Sequence, residues 1–492
     1  MKTKSVREYG AMVQQVSPRS PVLKNCLFAF LFGGAICALG QGIANLFMLL
    51  GFTLRDARTF VSVSLIFLSA TLTAFGVYDN IAKHARADHR LCQLDGLPRA
   101  GIQKRGLCDW SRRKNVRRFR PGARFRHLGL GVLRRRSVRH RAVSGLKHGA
   151  KFAGKDKITV KRLGKYTILF ERCPVILGHA AVGGKKEAEG PLARDFDQTF
   201  LDSYLAQESW EKAESMLQTE AATLAIRKAG LEKSDISMIF AGDLLNQCIS
   251  STFGLREMDI PFLGQYGACS TMAQTLLMSA VAVESGAANY ACAVTSSHFC
   301  TAERQFRTPL EYGCQRTPTA QWTATASGSA VLGYGQGVRV RRATVGRIKD
   351  FGVTDVANMG AAMAPAAAQT LLDFFADTAT GPADYDRIYT GDLGAVGTEL
   401  LCSLLAENGV RLQNHEDCGL LLFDRETQDV HAGGSGCGCS ASVLCGHILN
   451  RMARGELHSI LFMATGALMS TTSSQQGESI PGIAHLVHLE TE

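Results

Sequence analysis

Two long uncharged runs open the chain. Residues 25–54 and 59–78 contain no Asp, Glu, Lys or Arg, and each is long enough to cross a hydrocarbon core at about 20 residues per helix. Lys2, Lys4, Arg7, Arg19 and Lys24 precede the first run, and Lys83 and Arg86 follow the second. That bias predicts a membrane hairpin over residues 1–83 with both ends in the cytoplasm. The second run and the missing small-residue cleavage pattern argue against a signal peptide. From about Lys151 the pattern becomes that of an α/β body. Short apolar strands are predicted at residues 157–160 and 166–170, and an amphipathic helix over 207–229. A helix stop and turn follow at 230–235, then a strand over 236–241 that ends in Gly242-Asp243-Leu244.

The same succession then recurs. Residues 385–390 repeat the strand with the same Gly391-Asp392-Leu393 ending, and a helix follows each copy, over 398–407 in the second. Next come two turns rich in glycine and cysteine, Gly267-Ala268-Cys269-Ser270 and Gly434-Ser435-Gly436-Cys437-Gly438-Cys439-Ser440. Each opens a helix, over 272–284 and 441–454, and each helix leads into a strand with a polar tip, over 290–298 and 459–466. Self-similarity of this kind marks a duplicated unit. Two β-α-β-α-β halves predict two mixed sheets with helices packed between and outside them.

Cys269 sits where an apolar run (Ile260, Phe262, Leu263), read as a buried strand, turns into a helix ended by Gly286. Two readings are open there. Helix N–H groups could favour a reactive thiolate, or the side chain could be a small buried residue that packs like alanine.

Charge changes the picture of one stretch only. The formal charge is +12, but residues 86–150 hold 19 Lys and Arg against 3 Asp and Glu, a local +16, so the rest sums to −4. Runs such as Arg112-Arg113-Lys114 and Arg134-Arg135-Arg136 have no amphipathic period. A disordered basic arm for nucleic acid or anionic lipid, or a solvated linker, would fit. The Arg, Gly, His and Trp bias of residues 84–150 fits better an out-of-frame translation of a GC-rich gene, and no function or nucleic-acid partner is assigned to it. The fifteen cysteines are scattered through apolar or glycine-rich runs and suit a reducing compartment, with no metal-type spacing.

Three stretches of the first segment, Leu23 to Cys26, Ile36 to Gly42 and Thr73 to Asp79, resemble the N-terminal half of the stage V sporulation protein AC family. Residues from about 151 to 492 resemble the thiolase-like stage V sporulation protein AD family. That resemblance rests on Ala241 to Gln247, Phe262 to Thr271 with departures at Gln265 and Tyr266, Thr301 to Arg307, Met363 to Ala368 and Gly433 to Cys437. It implies a five-layer thiolase-like body with halves at 151–345 and 346–492, behind the hairpin and the basic linker. The chain thus reads as a truncated AC-type product fused to the next gene's product.

The resemblance implies a sporulation protein that binds dipicolinic acid, free or calcium-bound, and takes part in its uptake. It would sit at the inner spore membrane on the cytoplasmic side. A homodimer and a complex with other stage V A-series membrane proteins are implied, with no cofactor beyond calcium brought by the ligand. A flat dianion calls for an apolar slot, helix N–H groups and cationic donors. The residues expected to line it are Cys269, His298, Arg304, Asp243, Asp392 and Ser435, with Arg307 as a further clamp. Turn capping is the simpler reading of Asp243 and Asp392, and an ion pair with Glu303 or Glu311 stands beside ligand clamping for the arginines. The alternative is an acyl-thioester condensing enzyme with Cys269 as nucleophile. It needs an imidazole and a second His or Asn, and the aligned positions, Thr390-Gly391-Asp392 and Gly434-Ser435, offer neither.

Overall fold

The computed structural model describes residues 4–74, 160–306 and 316–491. The chain divides into two compact units, Met1–Cys92 with Ile158–Glu492, and Gln93–Lys157. The basic stretch read as out-of-frame lies outside the described residues, as does Arg307.

The first unit opens with three helices, α1 (Val6–Val16), α2 (Val22–Leu49) and α3 (Leu54–Ala74). A capping box starts α1: the Glu8 N–H donates to Ser5 Oγ and the Ser5 N–H to Glu8 Oε2. Among the described residues, α2 alone is long and apolar enough to cross a membrane. The second expected span falls on α3, which begins earlier than predicted, with Arg55, Asp56 and Arg58 in its opening turns. Its expected end, residues 75–78, lies outside the described residues. Phe60 of α3 stacks on Phe47 of α2 at 4.8 Å.

The body runs β1 (Val175–Gly183), α4 (Trp210–Lys228), β2 (Met238–Gly242), α5 (Ile249–Leu255), β3 (Phe262–Gly264), α6 (Thr271–Glu284), β4 (Ala291–Ser297), α7 (Phe299–Phe306) and β5 (Ala326–Gly333). It continues with β6 (Val338–Thr344), α8 (Met359–Thr378), β7 (Arg387–Thr390), α9 (Gly394–Ala406), β8 (His415–Asp417), α10 (Cys437–Ser442), β9 (Ser459–Ala467) and β10 (Gly482–Glu490). The first sheet is ordered β3-β2-β4-β5-β1 and the second β8-β7-β9-β10-β6. In each, the second strand, β2 or β7, pairs parallel on both sides, and the last two pairings are antiparallel. Order and direction are therefore the same in both halves, and the duplication read from the sequence is a duplication of topology. A two-residue pairing between β6 and β1 joins the sheets edge to edge.

Between the sheets lie α6 and α10. The former touches β2 and β4 of one half and β9 and β10 of the other. It is apolar on all sides, as a helix buried between two sheets must be, and Met272, Ala273, Leu276 and Ala280 are fully buried. Outside, α4 covers the first sheet and α8 the second. This is the five-layer, thiolase-like arrangement. One expectation fails. The run at 260–263 was read as a buried strand, but β3 is a sheet edge, and Phe262 and Leu263 are 38% and 51% exposed. Among the described residues its strand partner is β2 alone, so its apolar side chains face outward instead of filling a core.

Candidate functional site

The site forms where the two halves present their glycine turns to each other. In the first half, Ala268 adopts φ +50, a conformation rarely held by a residue with a Cβ, and the strain falls immediately before Cys269. Cys269 precedes α6 rather than opening it, since Ser270 is the N-cap residue. In the second half, Gly436 has φ +104, and a side chain there would meet Ser297. That backbone turns the Gly436 N–H onto Asp392 Oδ2 at 2.9 Å. The Ser435 hydroxyl also reaches Asp392 Oδ2, at 3.2 Å, and lies 3.9 Å from the Cys269 sulfur. Thr465 Oγ1 donates to the other carboxylate oxygen at 2.8 Å. The repeat thus brings Cys269, Ser435 and Asp392 together, as the aligned positions required.

Burial pushes the Asp392 carboxyl up to about 7, against the opposing pull of its hydrogen-bond donors. Burial, and then the negative charge of Asp392, push the Cys269 thiol well above the ordinary cysteine range. Neither reading of Cys269 holds as stated: burial and Asp392 oppose the thiolate, and the side chain is half-buried at the cleft and not packed away like an alanine.

The two strand-end aspartates do different work. Asp243 caps its own turn, accepting the Leu245 N–H and both the N–H and hydroxyl of Ser251. Behind it Glu214 takes the Thr301 hydroxyl at 2.6 Å, and burial and the neighbouring Asp243 push its carboxyl up. Asp392 is not a cap. In the second half Asp417 does that work, accepting the Leu393 and Gly394 N–H groups, and this frees Asp392 to face the thiol.

Two other expected site residues point elsewhere. The His298 ring meets the Ser203 carbonyl through Nε2 at 2.7 Å and accepts the Cys300 N–H at Nδ1. Both ring nitrogens are thereby used, and burial keeps its proton affinity low. Arg304 leaves the outer side of α7 to pair with Glu211 and lies over the Trp210 ring. The ion-pair reading of Arg304 was right in kind, with a partner on α4 in place of the adjacent glutamates.

A cleft open to solvent lies over Cys269 and Ser435, with about 650 Å³ of space when the solvent at its mouth is counted. Tyr266, Phe306, Met359 and Met469 supply apolar walls, and Gln321 and Thr323 polar ones. Among the described residues that line it there is no Lys, Arg or His. Sequence reasoning missed Thr465 and Asp417; the polar tip of β9 was the available signal for the first. Among the described residues no group of three His, Cys, Asp or Glu is placed to hold a metal ion.

The family model for stage V sporulation protein AD matches residues 164–490. Stage V sporulation protein AD of Bacillus subtilis (strain 168) is 44% identical over 333 residues, 67% of this chain and 98% of that protein. The chain belongs to the stage V sporulation protein AD family. Its N-terminal segment matches the SpoVAC/SpoVAEB sporulation membrane protein model over residues 25–91. There it is 41% identical over 80 residues to stage V sporulation protein AC of the same organism, covering 16% of this chain and 53% of that relative. The chain therefore spans about half of the AC relative but nearly all of the AD relative. Among solved structures, 3-oxoacyl-[acyl-carrier-protein] synthase III from Aquifex aeolicus VF5 is 11% identical, covering 64% of this chain and 99% of its own, at a TM-score of 0.41. Acetamide-bound OleA from Xanthomonas campestris is 13% identical, covering 65% and 99%, at a TM-score of 0.43. The thiolase-like assignment of this AD-family body rests on its duplicated strand order, not on those scores.

Proposed function

We propose that this AD-family body binds dipicolinic acid in the Cys269 cavity as the neutral calcium chelate, takes part in its uptake into the developing spore, and does no chemistry on it. One observation carries the reading. The cavity holds a protonated thiol beside a buried carboxyl, with no imidazole among the described lining residues. Condensation requires a thiolate and an acid/base partner. The same lining favours the chelate over the free dianion. Burying two carboxylates without a cation is costly, whereas calcium cancels their charge. Tyr266 and Phe306 offer apolar surface to a pyridine ring, and the Ser435 and Thr323 hydroxyls can meet its oxygens.

An AC-type membrane segment and the apolar α2 associate the chain with a membrane. Its place at the inner spore membrane, with the body in the cytoplasm beside other A-series proteins, belongs to the proposal. So does a homodimer, for which the exposed edge strand β3 is a ready surface.

Calorimetric titration of the detergent-solubilised full chain tests the ligand. Calcium dipicolinate is expected to bind at one site per body, dipicolinate with a calcium chelator at least tenfold more weakly, and Tyr266→Ala to weaken the chelate about tenfold, the loss of roughly one aromatic contact. Absence of heat and of any thermal shift with both forms would leave the body a scaffold without this ligand.

A further inference from the structure

The N-terminal helix α1 is seated in the body. Val6, Tyr9, Met12, Val13 and Val16 fall on one helical face, and the last three pack against the cluster that holds Tyr9 together with α8 and α9. Tyr9 is fully buried. Its hydroxyl donates to the Ala361 carbonyl at 2.6 Å, and its ring meets Phe351 edge-on at 5.1 Å. Val6 lies over Gly352, where a Cβ would come within 2.4 Å of it. Lys4 reaches Glu407, the C-cap residue of α9, at 2.8 Å, and the Asn358 amide donates to Ser17 Oγ at 2.9 Å.

Every one of these contacts joins the leader of the AC-type membrane segment, whose match begins at residue 25, to the AD-type body, whose match begins at residue 164. An eleven-residue helix is marginal in water on its own, so the seat supplies its order. The Tyr9 pocket is lined by body residues, while the side chain that fills it comes from the stretch leading into the AC-type segment. Both families also exist as separate proteins in one organism.

We infer that the groove formed by residues 351–361 and α9 is a receptor for an amphipathic helix at the N-terminal end of an AC-type membrane protein, docked in cis here and in trans where the two are separate chains. This deepens the partner reading above and needs no ligand in the cavity. The groove backs onto that cavity all the same. Val356 and Met359 both line the cavity and pack against the cluster that holds Tyr9.

The test uses the full chain in detergent with a site-specific protease site inserted within residues 93–157. After cleavage the N-terminal fragment is expected to co-elute with the body on size exclusion. Excess synthetic peptide of residues 4–20 should displace it, and the Tyr9→Ala peptide should compete at least about tenfold less well, as expected for emptying an aromatic pocket. The same cleaved sample, titrated with calcium dipicolinate, reads the cavity separately. Fragments that part at once, or a Tyr9→Ala peptide that competes equally well, would overturn the docking inference whatever the titration shows.

Discussion

Burial, reinforced by Asp392, keeps the Cys269 thiol protonated. A thiolate at this position would be buried beside the Asp392 carboxylate, with the Ser435 hydroxyl 3.9 Å away as a weak donor, so the proton stays on sulfur. Because the shift is upward, the thiolate fraction at a given alkaline pH is smaller than for a free cysteine, and replacing the carboxylate must enlarge it. Iodoacetamide at pH 8, with the Cys269 peptide followed by mass spectrometry, should label this residue more slowly than glutathione. Asp392→Asn should accelerate the labelling about tenfold, equivalent to roughly one pKa unit. Labelling faster than glutathione in the unaltered chain would mean that the thiol is activated after all. The trio of Cys269, Ser435 and Asp392 was legible because the repeat aligns its two glycine turns and its two Gly-Asp-Leu strand ends. His298 and Arg304 were not placed correctly. Nearness to a strand end says nothing about which way a side chain leaves it, and partners distant in the chain, the Ser203 carbonyl and Glu211, draw both away from the cavity.

Elements with a strong pattern could be read from the chain, and those shaped by their neighbours could not. The apolar and small residues that dominate α6, with Gln274 as the one polar long side chain before Glu284, and its stop at Gly286 mark a central buried helix, which it is. By contrast β5 spells Ala-Ser-Gly-Ser-Ala-Val-Leu-Gly and lacks the branched and aromatic bias of a strand. It needs small residues because α10 presses on it: a Cβ at Gly328 would stand 2.2 Å from the Ala441 carbonyl. The edge strand β3 carries the opposite lesson, since apolar composition there marks an outward face. A flat apolar edge invites pairing with another chain, and two copies of β3 would extend the sheet across a dimer. Light scattering on the full chain should give twice the mass expected from 53.1 kDa per chain after correction for detergent. Leu263→Arg should halve it, and an unchanged mass for that variant would remove β3 from the interface.

At the scale of the molecule, the chain joins an AC-type membrane segment to an AD-type body, and α1 ties the two by a buried tyrosine as well as by peptide bonds. The net basicity belongs to the stretch between them, and the rest of the chain is slightly acidic. The thiolase-like body sets a strained turn and Cys269 at the floor of an open cleft. Beside that sulfur stands Asp392, and burial first, then the aspartate's charge, push the thiol up. Incubation of the full chain with a panel of acyl-coenzyme A thioesters, following free coenzyme A together with the mass of the Cys269 peptide, tests this most directly. The account predicts no acyl adduct on Cys269 and no coenzyme A release above the rate without protein; acyl-Cys269 formed with matching release would contradict it.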